Sequence, residues 1–246
     1  KSFWNYVNAD PVDYYFFIVD YKLFRDQAKI LLAMEEEKIK GLMLIYLNYS
    51  VHLRGNREAV GMLVEKLDQS EITLLAPFEC EKIVSRKYRT LAKGEVVIMC
   101  LRKGEEHVQI KHPPERLTSE DADEVAELLR NALPDWWDGT ISEMQESLSN
   151  KFWLCIKRDG KIVSVGNTLL TDFGGNIGLV ATYEQYRNMG YATSIVSSLV
   201  KEILKRSSTA VIHVESDNAP ALHVYSKIGF KPYKSYFLFK GEKIGI

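Results

Sequence analysis

The residues from Gly178 to Ala192 have the types and spacing needed to bind an anion through the protein backbone. An apolar run passes into a turn that contains Gly190, and an amphipathic helix begins directly after it. Peptide N–H groups at the start of a helix lack an intrahelical acceptor and lie at the positive end of the helix dipole. They can therefore hold a diphosphate. Gly190 suits this turn because it has no Cβ and adopts a positive φ at little cost.

A regular order of elements is predicted after this turn. Apolar residues recur at the i, i+3, i+4 and i+7 spacing of one buried helix face: Ala192, Ile195, Val196, Leu199, Val200, Ile203 and Leu204. Residues 210–214 are apolar and β-branched, which predicts a buried strand. Asp217 or Asn218 then caps a second helix, which Gly229 ends in the left-handed conformation. The predicted unit is strand, turn, helix, strand, helix.

Two motifs in this unit resemble those of the GNAT superfamily of N-acyltransferases. The first is similar to the acyl-CoA-binding pattern Arg/Gln-x-x-Gly-x-Gly/Ala, through Arg187, Gly190 and Ala192. The second resembles Asn-x-x-Ala-x-x-x-Tyr-x-x-x-Gly-Phe and is formed by Asn218, Ala221, Tyr225, Gly229 and Phe230. Two motifs in the expected order are far more specific than one glycine turn. The aromatic Tyr191 after the last glycine also resembles the glycine N-acyltransferase-like branch.

The resemblance implies an acyl-CoA donor, most simply acetyl-CoA, and a primary amine as the acceptor. Backbone N–H groups would hold the CoA diphosphate; they belong to Arg187, Asn188, Met189, Gly190, Tyr191 and Ala192. Val180, Ala181 and Thr182 would lie along the pantetheine arm, with the Val180 N–H donating to the thioester carbonyl. Asn218 would bind the pantetheine region, and Tyr225 would be the general acid beside sulfur.

Simpler interpretations exist for each of these side chains. Tyr225 alone would be a core residue, and Asn218 alone would be a helix cap. The general base is the least defined role, because residues 176–182 contain no carboxylate. Glu184 and Glu215 are the nearest acidic candidates by sequence, and deprotonation through water is the alternative. The missing carboxylate also allows a different class of function, a catalytically inactive CoA-responsive binding module or partner-binding scaffold.

Composition limits the other function classes. The chain has 246 residues, 46% hydrophobic content, a net charge of -1 and a pI near 6.6. This charge balance gives no general basis for binding nucleic acid or an anionic membrane. No apolar run approaches the ~20 residues that span a bilayer, and a secretory pattern is not found, so a cytoplasmic protein is expected. Oligomeric state and acceptor identity are left open.

Cysteine and histidine spacing predicts no metal site. Cys80, Cys100 and Cys155 are widely separated, which favours reduced, buried thiols over disulfides or structural zinc. His213 and His223 are expected near the site, but neither has ligand spacing with another His or Cys.

Two domains are predicted: a non-catalytic α/β lobe over residues 1–104 and a catalytic domain over residues 105–246. In the second, Thr118 and Asp121 can form a capping box for a helix that Pro134 stops. A shorter helix over 141–148 and a hairpin turning at 158–160 follow. The fold class is α/β (α+β), a GNAT-like mixed and mainly antiparallel sheet flanked by helices.

The first lobe gives weaker signals. Strands are predicted within 39–51, 72–76 and 95–101, and helices over 58–67 and 80–88. This order echoes the second lobe, and the turn at 54–57 lies where a phosphate turn would be in a degenerate copy. Internal duplication and an unrelated lobe both stay open.

Three other sequence features have simple interpretations. Glu35–Glu37 is interpreted as a solvated cluster and Tyr14–Phe17 as N-terminal core. Trp136 and Trp137 either line an acceptor pocket or pack internally.

Overall fold

The computed structural model describes residues 2–134 and 137–245. The chain forms two compact units rather than one. The first contains Lys1–Ile98, Glu215–Asp217 and Tyr233–Ile246, and the second contains Met99–Val214 and Asn218–Pro232. The chain therefore enters each unit more than once. The division into residues 1–104 and 105–246, with a non-catalytic first part, stays a prediction.

The first unit is a sheet with helices. Its elements are α1 Ser2–Asn8, α2 Tyr15–Leu23, β1 Ala28–Glu35, β2 Lys38–Tyr46, β3 Ser50–Gly55, α3 Arg57–Val64, β4 Glu71–Ala76, α4 Glu81–Val84, the start of β5 Tyr88–Arg102 and most of β11 Lys231–Lys243. The strand order is β1-β2-β3-β4-β11-β5. Strands β3 and β4 are parallel, whereas β1–β2, β2–β3 and β4–β11 are antiparallel.

The second unit has the same kind of sheet. Its elements are the end of β5, β6 Glu115–Arg116, α5 Ala122–Ala132, α6 Ile141–Asn150, β7 Phe152–Arg158, β8 Lys161–Leu170, β9 Gly175–Thr182, α7 Tyr191–Arg206, β10 Thr209–Glu215 and α8 Ala219–Ile228. The order is β10-β9-β8-β7-β6. Only β9–β10 is parallel among these pairs. The predicted mixed, mainly antiparallel sheet flanked by helices is confirmed.

Local signals in the second unit form the predicted structures. The Thr118 N–H donates to Asp121 Oδ2 at 2.9 Å, and Thr140 with Glu143 forms a second capping box. Helix α5 ends at Ala132, before Pro134. The β7–β8 turn uses Asp159 and Gly160 at positive φ, 50° and 77°. These elements form because each is specified by residues close in sequence.

The apolar face of helix α7 packs against the sheet of the second unit. Ile195, Val196, Leu199 and Val200 are fully buried. Burying each such side chain contributes roughly 1.5–3 kcal/mol. Strand β8 approaches the helix closely, because a Cβ on Gly166 would lie 2.6 Å from Ile195. This packing fixes the start of α7 relative to β9, the strand before it.

The first unit differs from expectation in several elements. The segment 39–51 lies in two strands, β2 and β3, and the predicted helix over 80–88 is shorter, with α4 covering only Glu81–Val84. Helices α1 and α2 and strands β1 and β11 were not predicted. Glu35–Glu37 lies exposed at the β1–β2 turn, and Tyr15 and Phe17 are buried at 2% and 0% exposure. Both interpretations of these segments are therefore confirmed.

The two halves of the chain repeat one order of elements. The order α1, α2, β1, β2, β3, α3, β4, α4, β5 corresponds to α5, α6, β7, β8, β9, α7, β10, α8, β11. In each set the third and fourth strands are parallel and joined through a helix. The corresponding regions of the two halves can therefore be compared element by element.

Candidate functional site

Strands β9 and β10 separate partway along their length. Their parallel pairing covers Gly175 with Ala210, Asn176 with Val211, and Ile177 with Ile212. Strand β9 continues to Thr182, but among the described residues no pairing with β10 is seen after Ile177. Residues 178–182 thus border an opening in the sheet, where an extended ligand can pair with strand edges.

A β-bulge lies where this opening begins. Between the pairs Gly166–Val180 and Thr168–Ile177, β8 advances by two residues and β9 by three. The extra residue is at Gly178–Leu179, opposite Asn167. A Cβ on Gly178 would lie 2.4 Å from Asn167 Oδ1, so a side chain there would displace the Asn167 amide. Bulges redirect the residues that follow them, which here begin with Val180.

The backbone groups of β9 alternate in direction, toward β8 and away from it. The Tyr183 N–H donates to the Val163 carbonyl at 3.1 Å, and the Ala181 carbonyl accepts from Ser164 Oγ at 3.1 Å. Residues 181 and 183 therefore direct their backbone groups toward β8. Since directions alternate along a strand, Val180 and Thr182 direct theirs away from β8, toward the opening.

The loop between β9 and α7 is open and left-handed at two residues. Asn188 has φ 63° and Gly190 has φ 83°, which confirms the predicted positive φ of Gly190. Nothing lies within 4 Å of a Cβ built on Gly190. The Arg187 N–H already donates to the Glu184 carbonyl at 3.1 Å, and Arg187 Nε donates to the Thr182 carbonyl at 3.4 Å.

Unbonded N–H groups begin one residue after Arg187. In the described ranges, no acceptor is seen for the N–H groups of residues 188–193. They converge at the start of a 16-residue helix, where the dipole favours negative charge. An open loop with unbonded donors at a helix start can bind a diphosphate.

Tyr225 is buried on the inner side of α8, at 7% exposure. Burial raises the pKa of its phenol to about 12. Its ring makes an edge contact with Phe230, at 6.1 Å between centroids. Among the described residues, no hydrogen-bond partner is seen for the Tyr225 hydroxyl. A protonated phenol with an uncommitted hydroxyl is what a general acid needs.

Asn218 and Gly229 mark the two ends of α8. Asn218 Oδ1 accepts from the Ala221 N–H at 3.2 Å, so this exposed side chain is a helix cap. Gly229 has φ 114°, and a Cβ there would lie 2.4 Å from the Glu105 carbonyl. The predicted left-handed ending of the helix is confirmed.

The candidates for base and acceptor contacts lie as follows. Glu184 is exposed on the loop, and Glu215 is half-buried in the first unit. His213 Nδ1 lies 3.2 Å from Asn176 Oδ1, and His223 is exposed. None of these contacts identifies a base.

The predicted tryptophan and cysteine positions are buried or half-buried where the structure describes them. Trp137 is half-buried and packs against the α5–α6 core, while Trp136 lies outside the described residues. Cys80, Cys100 and Cys155 are free and buried, as expected of reduced thiols. In residues 2–134 and 137–245, no group of three His, Cys, Asp or Glu side chains is arranged to hold a metal ion.

Two side chains beside the loop had no sequence signal. Arg158 Nε donates to the Tyr191 hydroxyl at 2.7 Å, and His112 Nε2 lies 3.0 Å from the Met189 carbonyl. They lie 33 and 77 residues from these partners along the chain, so only the fold brings them to the loop.

The corresponding region of the first unit is closed. Arg54 is 2% exposed, and its Nε donates to Asp13 Oδ1 at 2.7 Å. Its Nη1 donates to the Leu53 carbonyl of β3 at 2.9 Å and to the Leu75 carbonyl of β4 at 3.5 Å. The guanidinium thus bridges β3 and β4 beyond their last pair, His52 with Leu75.

Two further differences separate this region from the β9–α7 loop. The β2–β3 pairing runs from Tyr46–Ser50 to Gly41–Gly55 without a bulge. Asn56 caps α3 by accepting from the Ala59 N–H at 2.9 Å. At the turn over 54–57, the Arg54 guanidinium is therefore buried and bonded, and the start of α3 is capped by a side chain.

The chain is similar to known proteins in part of its sequence and in most of its fold. Residues 155–238 match the family model described as FR47-like protein. The N-alpha-acetyltransferase of Sulfurisphaera tokodaii is 31% identical over 62 residues, 24% of this chain and 37% of that protein. The chain thus spans little more than a third of the length of this curated relative.

Solved structures resemble nearly the whole chain. A GCN5-related N-acetyltransferase from Sphaerobacter thermophilus has a TM-score of 0.64 at 14% identity, covering 92% of this chain and 86% of that one. A tandem GNAT protein from the clavulanic acid biosynthesis pathway has a TM-score of 0.58 at 12% identity, covering 96% and 88%. At these identities the likeness concerns the fold. No helix among the described residues is both long and apolar enough to cross a membrane.

Proposed function

We propose that this chain, which has the GNAT fold and an FR47-like segment, is an acyl-CoA-dependent N-acyltransferase with its donor site in the second unit. The observation that carries the proposal is the opening beyond Ile177–Ile212, which leads along β9 to a loop whose N–H groups at 188–193 are unbonded. The opening suits an extended arm, and the loop suits a diphosphate. An acyl-CoA has both parts.

In this proposal the backbone binds the donor. The N–H groups from Asn188 to Ala192 hold the diphosphate, and the Arg187 side chain lies beside them. Val180, Ala181 and Thr182 flank the pantetheine arm, and the Val180 N–H donates to the thioester carbonyl, where negative charge develops. Asn218 contacts the arm in addition to capping α8. When bound, the acyl-CoA supplies the activated acyl group.

Tyr225 is the proposed general acid. Its pKa of about 12 keeps the phenol protonated at neutral pH. The hydroxyl can then donate to the sulfur as negative charge develops there. Because no carboxylate lies on β9 between 176 and 182, water removes the proton from the amine in this scheme.

The acceptor is a primary amine, attacked directly in a ternary complex. The curated relative carries the name N-alpha-acetyltransferase, which favours an α-amino group among the acceptor classes. Tyr191 after Gly190 also keeps the glycine N-acyltransferase-like branch within the proposal. Acetyl-CoA is the simplest donor.

A catalytically inactive CoA-responsive module is the second candidate. The observation in its favour is the absence of a carboxylate on β9, with Glu184 exposed on the loop. It predicts that CoA raises the melting temperature but that acetyl-CoA releases no thiol with any amine.

The test is thiol release from acetyl-CoA with amino acids, polyamines, aminoglycosides and short peptides. We expect release with one class of amine.

Gly190→Glu tests the donor site, because it places a carboxylate among the loop N–H groups. We expect it to abolish donor binding. Gly104→Glu is the matched control, since Gly104 also has a positive φ, 94°, with nothing within 4 Å of its Cβ position. Equal binding of CoA by both variants would refute the loop as the donor site.

A further inference from the structure

Three side chains form a connected network against the loop at the start of α7. Arg158 donates through Nε to the Tyr191 hydroxyl at 2.7 Å, and its Nη2 lies 2.9 Å from His112 Nδ1. His112 Nε2 lies 3.0 Å from the Met189 carbonyl. The His112 and Tyr191 rings meet edge to face at 4.7 Å, and the guanidinium lies 5.0 Å from the Tyr191 ring.

The partners determine the protonation state of His112. Arginine has donors and no acceptor, so His112 Nδ1 must present its lone pair to Arg158. A carbonyl has no donor, so the proton is on Nε2 and is donated to Met189. His112 is therefore the neutral Nε2–H tautomer. It transmits a chain of hydrogen bonds from Arg158 on β7 to the backbone of the loop.

The segment that carries His112 is itself fixed to α7. The Lys111 and His112 N–H groups both lie 3.2 Å from Ser194 Oγ, which donates to the Gly190 carbonyl at 3.0 Å. The Gln109 N–H donates to Ser197 Oγ at 3.0 Å. Ser194 and Ser197 are fully buried, so both acceptor side chains are held within the packed face of α7.

We infer that Arg158, His112 and Tyr191 are positioning residues that hold the phosphate-binding loop in its binding conformation before the donor arrives. This inference rests on the proposed function. The loop needs such support, because parallel N–H groups repel one another and Asn188 adopts a left-handed conformation that costs energy. Bonds to the Met189 carbonyl and the Tyr191 side chain fix both sides of Gly190. Preorganisation lowers the ordering cost of binding.

The first measurement does not depend on CoA. In ligand-free protein, amide ¹⁵N order parameters of residues 188–190 should be near the rigid value of about 0.85, and fall below about 0.6 in His112→Ala and Tyr191→Phe. Tyr191→Phe keeps the ring and removes only the hydroxyl. His112→Gln can accept from Arg158 and donate to Met189, so it should restore rigidity. The ¹⁵N shifts of His112 should report an unprotonated Nδ1.

The second measurement separates positioning from chemistry. We expect the KM for acetyl-CoA and the Kd for CoA to rise about tenfold in His112→Ala and Tyr191→Phe, with kcat within about twofold of the parent. His112→Gln should recover most of the affinity. His107→Ala is the control, because His107 is exposed in the same unit and its fixed contact is a backbone bond to Ile228.

Unchanged loop order parameters in His112→Ala would overturn the inference, as would a loss of kcat without a change in KM. If the parent protein binds no CoA, the proposed donor site is wrong, yet the order parameters still decide whether the network holds the loop.

Discussion

Tyr225 carries the only catalytic side-chain role in the proposal. We expect Tyr225→Phe to lower kcat on the order of 100-fold, because the departing thiolate loses its donor. The KM for acetyl-CoA should change little, since the backbone holds the diphosphate. Steady-state thiol release across pH is the measurement. Tyr49→Phe, at an exposed tyrosine, is the control. A phenylalanine variant with parental turnover at every pH would remove Tyr225 from this role.

The Gly178→Ala substitution tests the β-bulge by adding a single Cβ atom. A Cβ would lie 2.4 Å from Oδ1 of Asn167, a residue that is 3% exposed, so the Asn167 side chain must shift. We expect Gly178→Ala to lower the free energy of unfolding by about 1–3 kcal/mol through overpacking. Gly94→Ala is the matched strand control, because its Cβ would meet only Leu238 at 4.0 Å. Urea unfolding compares them, and equal stability would show that the bulge tolerates a side chain.

At the scale of elements, an ionic cluster in the first unit joins the α1–α2 connection to β3 and β11. Asp13 accepts from Arg54 at 2.7 Å, from Lys234 at 2.7 Å and from Tyr236 at 2.6 Å. Burial alone would raise the pKa of Asp13, but the Arg54 charge and the hydrogen bonds from Lys234 and Tyr236 outweigh it and lower that pKa. The carboxylate is therefore ionised wherever the unit is folded near neutral pH.

We expect Asp13→Asn to destabilise the protein by about 3–5 kcal/mol at pH 7, because Arg54 keeps a buried charge without its counter-ion. A lowered folded-state pKa gives stability that is complete above the unfolded value of about 3.9 and lost as pH falls through the lower folded value. The difference between parent and variant should therefore hold from pH 7 to 5 and shrink below about pH 4.

Urea unfolding at pH 7, 5 and 3 measures this difference. Asp26→Asn, at an exposed aspartate in the same unit, is the control. A difference that grows as the pH falls would contradict the ionised Asp13.

How far each element could be predicted depends on how local its signal is. Helix α7, both ends of α8, the Thr118 capping box and the β7–β8 hairpin are each specified by residues a few positions apart, so the sequence predicts them. Strand β1 leaves Leu32 and Met34 38% and 44% exposed, so apolar residues do not mark a single buried face there. Strand β11 pairs with β4, about 160 residues earlier, which no local pattern encodes.

The candidate site divides in the same way. Arg187, Gly190, Asn218 and Tyr225 could be found from motif spacing. The bulge at Gly178 could not, because it exists only through the register with β8. The roles of His112 and Arg158 depend on contacts with Met189 and Tyr191, which lie 77 and 33 residues away along the chain. The Arg54 bridge between β3 and β4 could not be predicted either, because its buried partner Asp13 lies 41 residues away along the chain.

At the scale of the whole molecule, the order of elements repeats along the chain, and we propose an internal duplication in which one copy binds the donor. The second unit has the bulge, the strand opening and the open helix start. The first has continuous β2–β3 pairing, an Arg54 bridge between β3 and β4, and an α3 start capped by Asn56. We therefore propose one acyl-CoA site per chain, in the second unit.

Titration of ¹⁵N-labelled protein with CoA, followed by amide chemical shifts, tests this central claim most directly. We expect the largest shifts at residues 188–192, with smaller ones at Val180 and Thr182, and saturation at one CoA per chain. Absence of shifts at 188–192, or shifts centred on residues 54–57 of the first unit, would contradict it.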